Sequence, residues 1–267
     1  MKSGWVLAAL MLAGCAASEG AREARTGDPG TSASVRERPP HAVKPLRAGI
    51  SQQTFTAGRS VENRPIDAHV LGVGADTVMI IATIHGDEAA GTPLTHRLHR
   101  HLLANPGLVD GRRVVLIPVA NPDGLHRRRR TNVHGIDLNR NFPASNFRTT
   151  RRHGKKPLSE PEAQALQRMI LRYAPSRIVS IHQPVSCIDW DGPGEKLARA
   201  MAETCSLKAK RIGSRPGSLG SWVGLELKKP IITLELPRSA DRLTEDQLWR
   251  RYGRMMVQAV VFPDLAP

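Results

Sequence analysis

Two histidines and two glutamates stand out in the sequence because each of them follows or ends a predicted strand. His85 and Glu88 come directly after the apolar segment 77–84, His182 ends a segment much further along the chain, and Glu235 lies near the end of a third segment. In open α/β sheets, ligands bind outside the carboxyl ends of the parallel strands. We therefore expect these four side chains to meet at one edge of a sheet.

Two histidines and one glutamate form a ligand set of catalytic zinc sites, in which a fourth position stays open for water. The spacing of His85 and Glu88 lets both reach one ion from a helical turn or a tight loop, and Gly86 between them permits a sharp turn. This spacing often arises by chance, so the prediction depends on His182 reaching the same ion. Glu235 is the candidate general base for a zinc-activated water. The alternative is a buried or salt-bridged strand carboxylate, which would be costly without a partner.

The elements that must position these residues alternate between strands and helices. Periodicity and turn signals predict strands over 67–73, 77–84, 113–119, 177–182 and 230–236, and helices over 88–103, 160–173, 195–205 and 244–261. Ser159 is the expected N-cap of the second helix, with Glu162 at the capping-box position. This alternation predicts a single α/β domain with a mostly parallel or mixed twisted sheet and helices on both faces.

Five motifs occur in the order found in zinc carboxypeptidases of the M14 type, at residues 85–88, 121–124, 135–143, 180–184 and 233–237. Segment 58–66 resembles the opening hairpin of that family, and the resemblance covers residues 51–261. Further segments, at 159–162, 187–189 and 216–222, most resemble the murein peptide amidase branch. Members of that branch cut the bond between γ-D-glutamate and meso-diaminopimelate in peptidoglycan peptides. The resemblance therefore implies a zinc-carboxypeptidase-like fold and a peptidoglycan peptide as substrate.

The resemblance also implies roles for the candidate zinc residues. One zinc ion would be held by His85, Glu88 and His182, and Glu235 occupies the position of the catalytic glutamate. The family's exopeptidases commonly use a mobile tyrosine near that glutamate. This chain contains only Tyr173 and Tyr252, and neither lies in the loop before Glu235. The absence of such a tyrosine fits the amidase branch better than an ordinary carboxypeptidase.

Arginines and an asparagine between the zinc motifs are the candidate substrate-binding groups. A developing oxyanion needs fixed positive charge, and Arg130 resembles the family's carbonyl-polarising arginine. It ends a run of four arginines, so Arg129 is the alternative. Asn139 and Arg140 would hold a substrate carboxylate, with Arg140 forming a bidentate pair. The alternative for Arg140 is a local ion pair with Asp137.

The net charge is +15, and the sequence pI is about 10.8. Much of the excess lies in residues 126–156, where ten lysines and arginines accompany a single acid, Asp137. This stretch contains Asn139 and Arg140, the proposed carboxylate clamp, so we expect it to attract carboxylate-rich peptides. For residues 148–156 the alternative is a solvated basic face without a partner. The run of four arginines at 127–130 contains no aromatic residue, and we therefore expect no nucleic-acid partner.

The first fifty residues indicate an export signal and a tether rather than part of the folded domain. Residues 1–14 have a short positive start and an apolar core too short to cross a bilayer, and 12–15 resemble a bacterial lipobox. Cleavage there would leave Cys15 as a lipidated first residue, with residues 15–49 as a flexible tether and 50–267 as the catalytic domain. By resemblance to enterobacterial lipoprotein sorting, Ala16 after the cysteine favours an anchor in the outer membrane, facing the periplasm. The alternative is a soluble export signal with a chance cysteine.

The leading hypothesis is a lipid-anchored, monomeric zinc amidase of peptidoglycan stem peptides. The other hypotheses are a metallocarboxypeptidase acting on other peptides, a zinc deacylase of small acyl-amino acids, and a wall-binding lipoprotein with an inactive site. The export signal and the arginine-rich segment disfavour the deacylase. Cys187 and Cys205 either pair in an oxidising compartment or stay apart, with Cys187 buried near the site.

Overall fold

A computed structural model describes residues 50–264 of the chain. Its sheet has eight strands: β1 (Gln52–Arg59), β2 (Pro65–Leu71), β3 (Asp76–Ala82), β4 (Arg112–Ile117), β5 (Arg177–His182), β6 (Val185–Asp191), β7 (Lys208–Ala209) and β8 (Ile231–Pro237). The α-helices are α1 (Gly91–Ala104), α2 (Pro122–Arg127), α3 (Pro161–Tyr173), α4 (Glu195–Ala202) and α5 (Glu245–Val261). The strand order is β1-β2-β4-β3-β5-β8-β6-β7.

The centre of the sheet is parallel and its edges are mixed. Strands β4, β3, β5 and β8 run parallel to one another, while β2 and β6 flank them antiparallel. The predicted fold class, a mixed sheet in an α/β domain, is therefore confirmed. Because all four central strands point the same way, their carboxyl ends lie along one edge.

Strand β3 shows why helices cover both faces of this sheet. Its residues from Thr77 to Ala82 are buried, and successive side chains point to opposite faces. Ile80 belongs to the core cluster that includes residues of α1, α4 and α5, whereas Met79 and Ile81 belong to the cluster that includes residues of α3. A strand covered on both faces reads as a continuous apolar run, which is the pattern of this segment.

Several predicted boundaries agree with the structure. The predicted strand 177–182 coincides with β5, and α5 begins after Thr244, whose side chain forms a capping box with Gln247. Helix α1 starts at Gly91, three residues later than predicted, so Glu88 lies in the preceding turn, where its N–H donates to the carbonyl of His85 at 3.1 Å. Strands β1 and β6 were not predicted from periodicity, although the resemblance placed a hairpin near β1.

The predicted N-cap of α3 was wrong. The N-cap residue is Glu160 rather than Ser159, and no side chain bonds the first turn. Glu162 is instead buried and accepts hydrogen bonds from the Val61 N–H at 3.1 Å and from Asn132 Nδ2 at 3.2 Å. Burial raises the pKa of this carboxyl. A contact between segments a hundred residues apart therefore overrode the local capping pattern.

The predictions for residues 1–49 lie outside the described residues: the signal peptide 1–14, the lipidation site Cys15 and the tether 15–49. Between residues 50 and 264, no helix is long and apolar enough to cross a membrane. Cys187 and Cys205 are both free thiols. Cys187 is buried in β6, and the Cys205 sulfur contacts the Met255 Sδ at 3.4 Å.

Candidate active site

The carboxyl ends of the central strands bring the candidate residues together. Ala82, the last residue of β3, is paired with Ile181 of β5, and His182 of β5 is paired with Glu235 of β8. The turn after β3 carries His85 and Glu88 over the same edge. The four candidate side chains line one cavity of about 230 Å³. The four side chains therefore meet at one edge of the sheet, as the sequence predicted.

Three ligand atoms meet at the floor of this cavity. The distance is 3.2 Å between the Nδ1 atoms of His85 and His182, 2.8 Å from His85 Nδ1 to Glu88 Oε2, and 2.9 Å from His182 Nδ1 to the same oxygen. A tetrahedral zinc ion with bonds of about 2.0–2.1 Å places its ligand atoms about 3.3 Å apart. Within residues 50–264, this is the one group of three or more such side chains compact enough to hold a metal ion.

The outer nitrogens of the two histidines also fit metal ligands. His85 Nε2 lies 3.0 Å from Asp137 Oδ1, and His182 Nε2 lies 2.9 Å from Ser180 Oγ. Histidines that bind a metal through one nitrogen typically bond a carboxylate or another polar group through the other, which fixes the ring and its tautomer. All three proposed ligands are at least 94% buried, so a cation is the natural partner for their facing lone pairs. The donor set therefore fits one zinc ion.

Asp137 is the functional residue that sequence reasoning missed. The sequence predicted it only as an alternative ion-pair partner of Arg140. In the structure its two oxygens bond His85 Nε2 at 3.0 Å and Arg130 Nε at 3.1 Å. Burial would raise the pKa of Asp137, but the contact with His85 and the charge of Arg130 lower it well below its usual range. Its place in the 135–143 motif was the available signal, since a histidine ligand needs an outer carboxylate.

The zinc-ligand carboxylate is held ionised in the same way. Burial would raise the pKa of Glu88, yet hydrogen bonds with His182 and His85 hold it well below its usual range. Its second oxygen, Oε1, accepts from Arg130 Nη1 at 2.8 Å. An ionised carboxylate is the form that binds a metal.

Arg130, rather than Arg129, lines the cavity. Its Nη1 and Nε bond Glu88 and Asp137, which leaves Nη2 as the nitrogen without a hydrogen bond to residues 50–264. Arg129 is exposed and lines a different surface depression with Glu62 and Arg64. The structure therefore resolves the one-residue ambiguity of the arginine run.

Asn139 and Arg140 line the same cavity and belong to a short 3-10 turn, Leu138–Arg140. The Asn139 side-chain oxygen accepts from the Leu219 N–H at 2.9 Å, so its amide nitrogen is the group left for a ligand. Arg140 Nη1 donates to the Asn139 carbonyl at 2.6 Å. The alternative ion pair between Arg140 and Asp137 is not formed, because Asp137 bonds His85 and Arg130 instead.

Glu235 lines the cavity from β8 and is partly exposed. Its Oε2 accepts from the Val185 N–H at 3.3 Å. Among the described residues, no Lys, Arg or His nitrogen lies within 4 Å of it, so it is not the salt-bridged strand carboxylate of the alternative interpretation. Cys187 is its neighbour across the β6–β8 pair, and burial together with the charge of Glu235 raises the pKa of that thiol to about 11.

Several other aromatic and basic residues lie away from the zinc-ligand cluster. Trp222 is buried and stacks on Phe142 with ring centroids 5.8 Å apart, so it packs the core. His134 bonds Glu160 at 2.7 Å. Tyr173 and Tyr252 do not line the cavity. The basic residues at 148, 151, 155 and 156 are exposed.

Comparisons with known proteins agree with this geometry. The family model "Zinc carboxypeptidase" matches residues 46–206. Murein peptide amidase A of Escherichia coli K12 is 36% identical over 190 residues, which cover 64% of this chain and 76% of the relative. The crystal structure of the murein-tripeptide amidase MpaA from Escherichia coli O157 superposes with a TM-score of 0.62 and 30% identity, covering 79% of this chain and 92% of the other.

A more distant structure shares the fold alone. Carboxypeptidase A from Helicoverpa armigera superposes with a TM-score of 0.67 at 19% identity, covering 80% of this chain and 69% of the other. Similarity at this level shows a common sheet and layer arrangement. It carries no argument about the substrate.

Replacing Asp137 tests its role behind His85. We expect Asp137→Ala to weaken zinc binding about 10- to 100-fold, because the His85 ring loses the carboxylate that orients it. Competition with a chromophoric chelator measures the affinity. Asp241→Ala, an exposed aspartate outside the cavity, is the control and should bind zinc as the parent does. Equal affinities for both variants would show that Asp137 does not support the metal site.

Proposed function

This chain belongs to the zinc carboxypeptidase family, and we propose that it hydrolyses the bond between γ-D-glutamate and meso-diaminopimelate in peptidoglycan stem peptides. It is a metallopeptidase related to murein peptide amidase A. The observation that carries the proposal is the single cavity that joins His85, Glu88 and His182 to Glu235, Arg130 and Arg140. The names of the relatives, murein peptide amidase and murein-tripeptide amidase, support the substrate.

Zinc is the cofactor of this family, and His85, Glu88 and His182 are the residues that would hold it. When bound, the ion supplies a water of lowered pKa and polarises the scissile carbonyl. Glu235 faces the same cavity and accepts the proton of the attacking water. It then donates that proton to the departing amine, so that one carboxylate serves as base and then as acid.

Arg130 and Arg140 each bind a different anionic group of the substrate. Arg130, held by Glu88 and Asp137, directs Nη2 at the oxygen on which negative charge develops. Arg140 and the amide nitrogen of Asn139 bind the α-carboxylate of the leaving amino acid. Because both arginines are anchored by hydrogen bonds, little reorganisation is needed when the substrate enters.

An ordinary carboxypeptidase acting on other peptides is the second candidate. Its favouring observation is the carboxylate clamp, since any peptide with a free C-terminus presents such a group. Neither tyrosine of the chain lines the cavity, so a tyrosine-assisted exopeptidase mechanism has no residue to use. The basic stretch 126–156 also favours a substrate with several carboxylates.

We further propose that the enzyme is a lipoprotein anchored through Cys15 on the periplasmic side of a bacterial envelope, with the outer membrane favoured. The support is the sequence of residues 1–16, with its short apolar core and its Leu-Ala-Gly-Cys end. A tether of residues 15–49 would let the domain reach wall peptides near its anchor.

The substrate proposal is tested on the tripeptide L-Ala-γ-D-Glu-meso-diaminopimelate. We expect the zinc-loaded domain to release free diaminopimelate, identified by mass spectrometry, because the cavity binds the leaving amino acid by its carboxylate. A dansylated peptide of ordinary L-residues is the comparison substrate. Cleavage of only that peptide would establish the carboxypeptidase alternative.

Glu235→Gln tests the assigned base. We expect the variant to keep its fold and its zinc but to lose about 10²- to 10⁴-fold in kcat, since the amide cannot accept the water proton. Metal analysis and tripeptide turnover measure the two effects separately. Glu226→Gln, an exposed glutamate, is the control. Turnover by Glu235→Gln at the parental rate would assign the proton transfer to another group.

Cys15→Ala tests the anchor. We expect the parent chain expressed in a Gram-negative host to incorporate labelled palmitate and to sediment with membranes, and the variant to do neither. Cys205→Ala is the control and should behave as the parent does. If the parent chain carries no palmitate label and is found in the soluble periplasmic fraction, the result would favour a soluble export signal with a chance cysteine.

A further inference from the structure

A basic loop close in sequence to the carboxylate clamp takes no part in the proposed reaction. Residues 148–156, here called the cationic loop, contain no acid and carry five exposed cations: Arg148, Arg151, Arg152, Lys155 and Lys156. None of the five lines the active-site cavity. The charge of the cationic loop is therefore available to a partner other than the substrate in that cavity.

The cations of this loop are not paired within the fold. Among residues 50–264, no Asp or Glu oxygen lies within 4 Å of any of their side-chain nitrogens. Exposed arginines on the helices do pair, since Arg100 bonds Glu245 and Arg199 bonds Glu195 at 2.7 Å. Like charges placed together repel one another, and the resulting field attracts anions from outside the fold.

Hydrogen bonds to its backbone hold the cationic loop in place. The buried Asn141 side chain donates from Nδ2 to the carbonyl oxygens of His153 at 2.7 Å and Lys156 at 3.2 Å. The Asp137 N–H donates to the Arg152 carbonyl at 2.8 Å. The loop is therefore fixed to the segment that also carries the clamp.

The tip of the loop is a tight turn that fixes the spacing of the cations. Thr150 and Gly154 form an antiparallel bridge, and Thr150 Oγ1 accepts from the N–H groups of Arg152 at 3.2 Å and His153 at 3.1 Å. Gly154 has a φ of 92°, and a Cβ there would lie 2.5 Å from Ser159 Oγ, so the turn requires glycine. A basic segment that is merely solvated needs none of these contacts.

The exposure of the five cations decides which kind of anion fits them. A single exposed ion pair contributes little, because solvent screens it and two long side chains must be ordered. An extended anionic surface engages all five groups at once, and each Lys or Arg near an anionic bilayer strengthens binding about fivefold. The loop has no large apolar side chain that could enter the hydrocarbon. Binding is therefore electrostatic and sensitive to salt.

The anchor proposed at Cys15 makes a bilayer the nearest such surface. A coil of the length of the tether, residues 15–49, has a root-mean-square span of about 30–35 Å. The domain then stays within reach of the headgroups of its own membrane. An anchor at one point leaves the orientation of the domain undetermined, and a second contact through the loop would fix it.

We propose that the cationic loop binds the phosphate headgroups of an anionic bilayer and holds the domain against the membrane to which the chain is anchored. The arginine guanidinium groups bind phosphate oxygens in a bidentate manner, and the lysine ammonium groups act as point charges. The inference goes beyond the proposed hydrolysis. It takes from the proposed function only the anchor, which supplies the membrane.

Vesicle binding tests this surface without the anchor. The full chain with Cys15→Ala, which carries no attached lipid, is sedimented with vesicles of phosphatidylcholine alone or mixed equally with phosphatidylglycerol. Binding to the neutral vesicles measures any contribution of the apolar residues 5–13 and is subtracted. We expect the remaining binding to the anionic vesicles to fall at least about tenfold between roughly 0.05 M and 0.5 M salt.

Removing three charges locates the contact. In the Cys15→Ala background, we expect binding to the anionic vesicles to weaken about 100-fold, from roughly fivefold per charge, in a triple loop variant. That variant combines Arg151→Gln, Lys155→Gln and Lys156→Gln. Thermal unfolding should match that of the parent, because all three side chains are exposed and make no contact that holds the turn.

A matched control lowers the net charge by the same amount elsewhere. It combines Lys196→Gln, Arg250→Gln and Arg254→Gln, at exposed positions of α4 and α5. These helices pack on one face of the sheet, whereas Phe142, next to the Asn141 that holds the loop, packs on the other. The control should therefore bind the anionic vesicles as the parent does.

Other outcomes would overturn the proposal. Equal losses in the two triple variants would assign the binding to net charge and refute the cationic loop as a site. If the loop variant loses binding to isolated peptidoglycan sacculi but keeps its binding to vesicles, the partner is the wall and the bilayer is refuted.

Tripeptide turnover separates this inference from the proposed function. The loop variant should keep the parental kcat, because none of its three residues lines the cavity. If the parent releases no diaminopimelate while the vesicle results hold, the amidase proposal fails and the membrane-binding surface stands. If the parent turns over the tripeptide but the loop variant binds vesicles as the parent does, the reverse is true.

Discussion

The site depends on the meeting of two imidazole nitrogens and one carboxylate oxygen, all within 3.2 Å of one another. These atoms come from His85, Glu88 and His182, and their lone pairs repel unless a proton or a cation lies between them. The contact requires β3 and β5 to be parallel neighbours that end at the same level of the sheet. Both strands are buried on both faces, so the packing of the sheet fixes the positions of the three groups.

Charges of alternating sign extend outward from that contact. Asp137 orients His85 from behind, and Arg130 joins Asp137 to Glu88. Each ionised group is held by an opposite charge on its neighbour, which keeps the carboxylates deprotonated despite burial. The electrostatic field of the cavity is therefore set before a substrate arrives, and this is the arrangement that stabilises charge developing in a transition state.

The family fold positions the candidate catalytic groups, whereas the loops complete the cavity above them. Proteins with the same sheet and quite different sequences superpose on this chain, so the sheet alone does not identify a substrate. The end of β6 and the loop of residues 211–218 complete the wall of this cavity. A rigid sheet edge with variable loops above it lets one hydrolytic centre serve different peptides.

The sequence by itself determined the four residues at the strand ends, because an apolar strand and the polar residue after it are neighbours in the chain. It also determined the limits of β5 and, to within one residue, those of α5, for the same local reason. Only the tertiary structure decided that Asp137 supports His85, that Glu162 is buried rather than capping α3, and that Asp191 faces the cavity. Those roles depend on contacts between segments far apart in sequence, and no periodicity in a loop encodes which distant group a single carboxylate will meet.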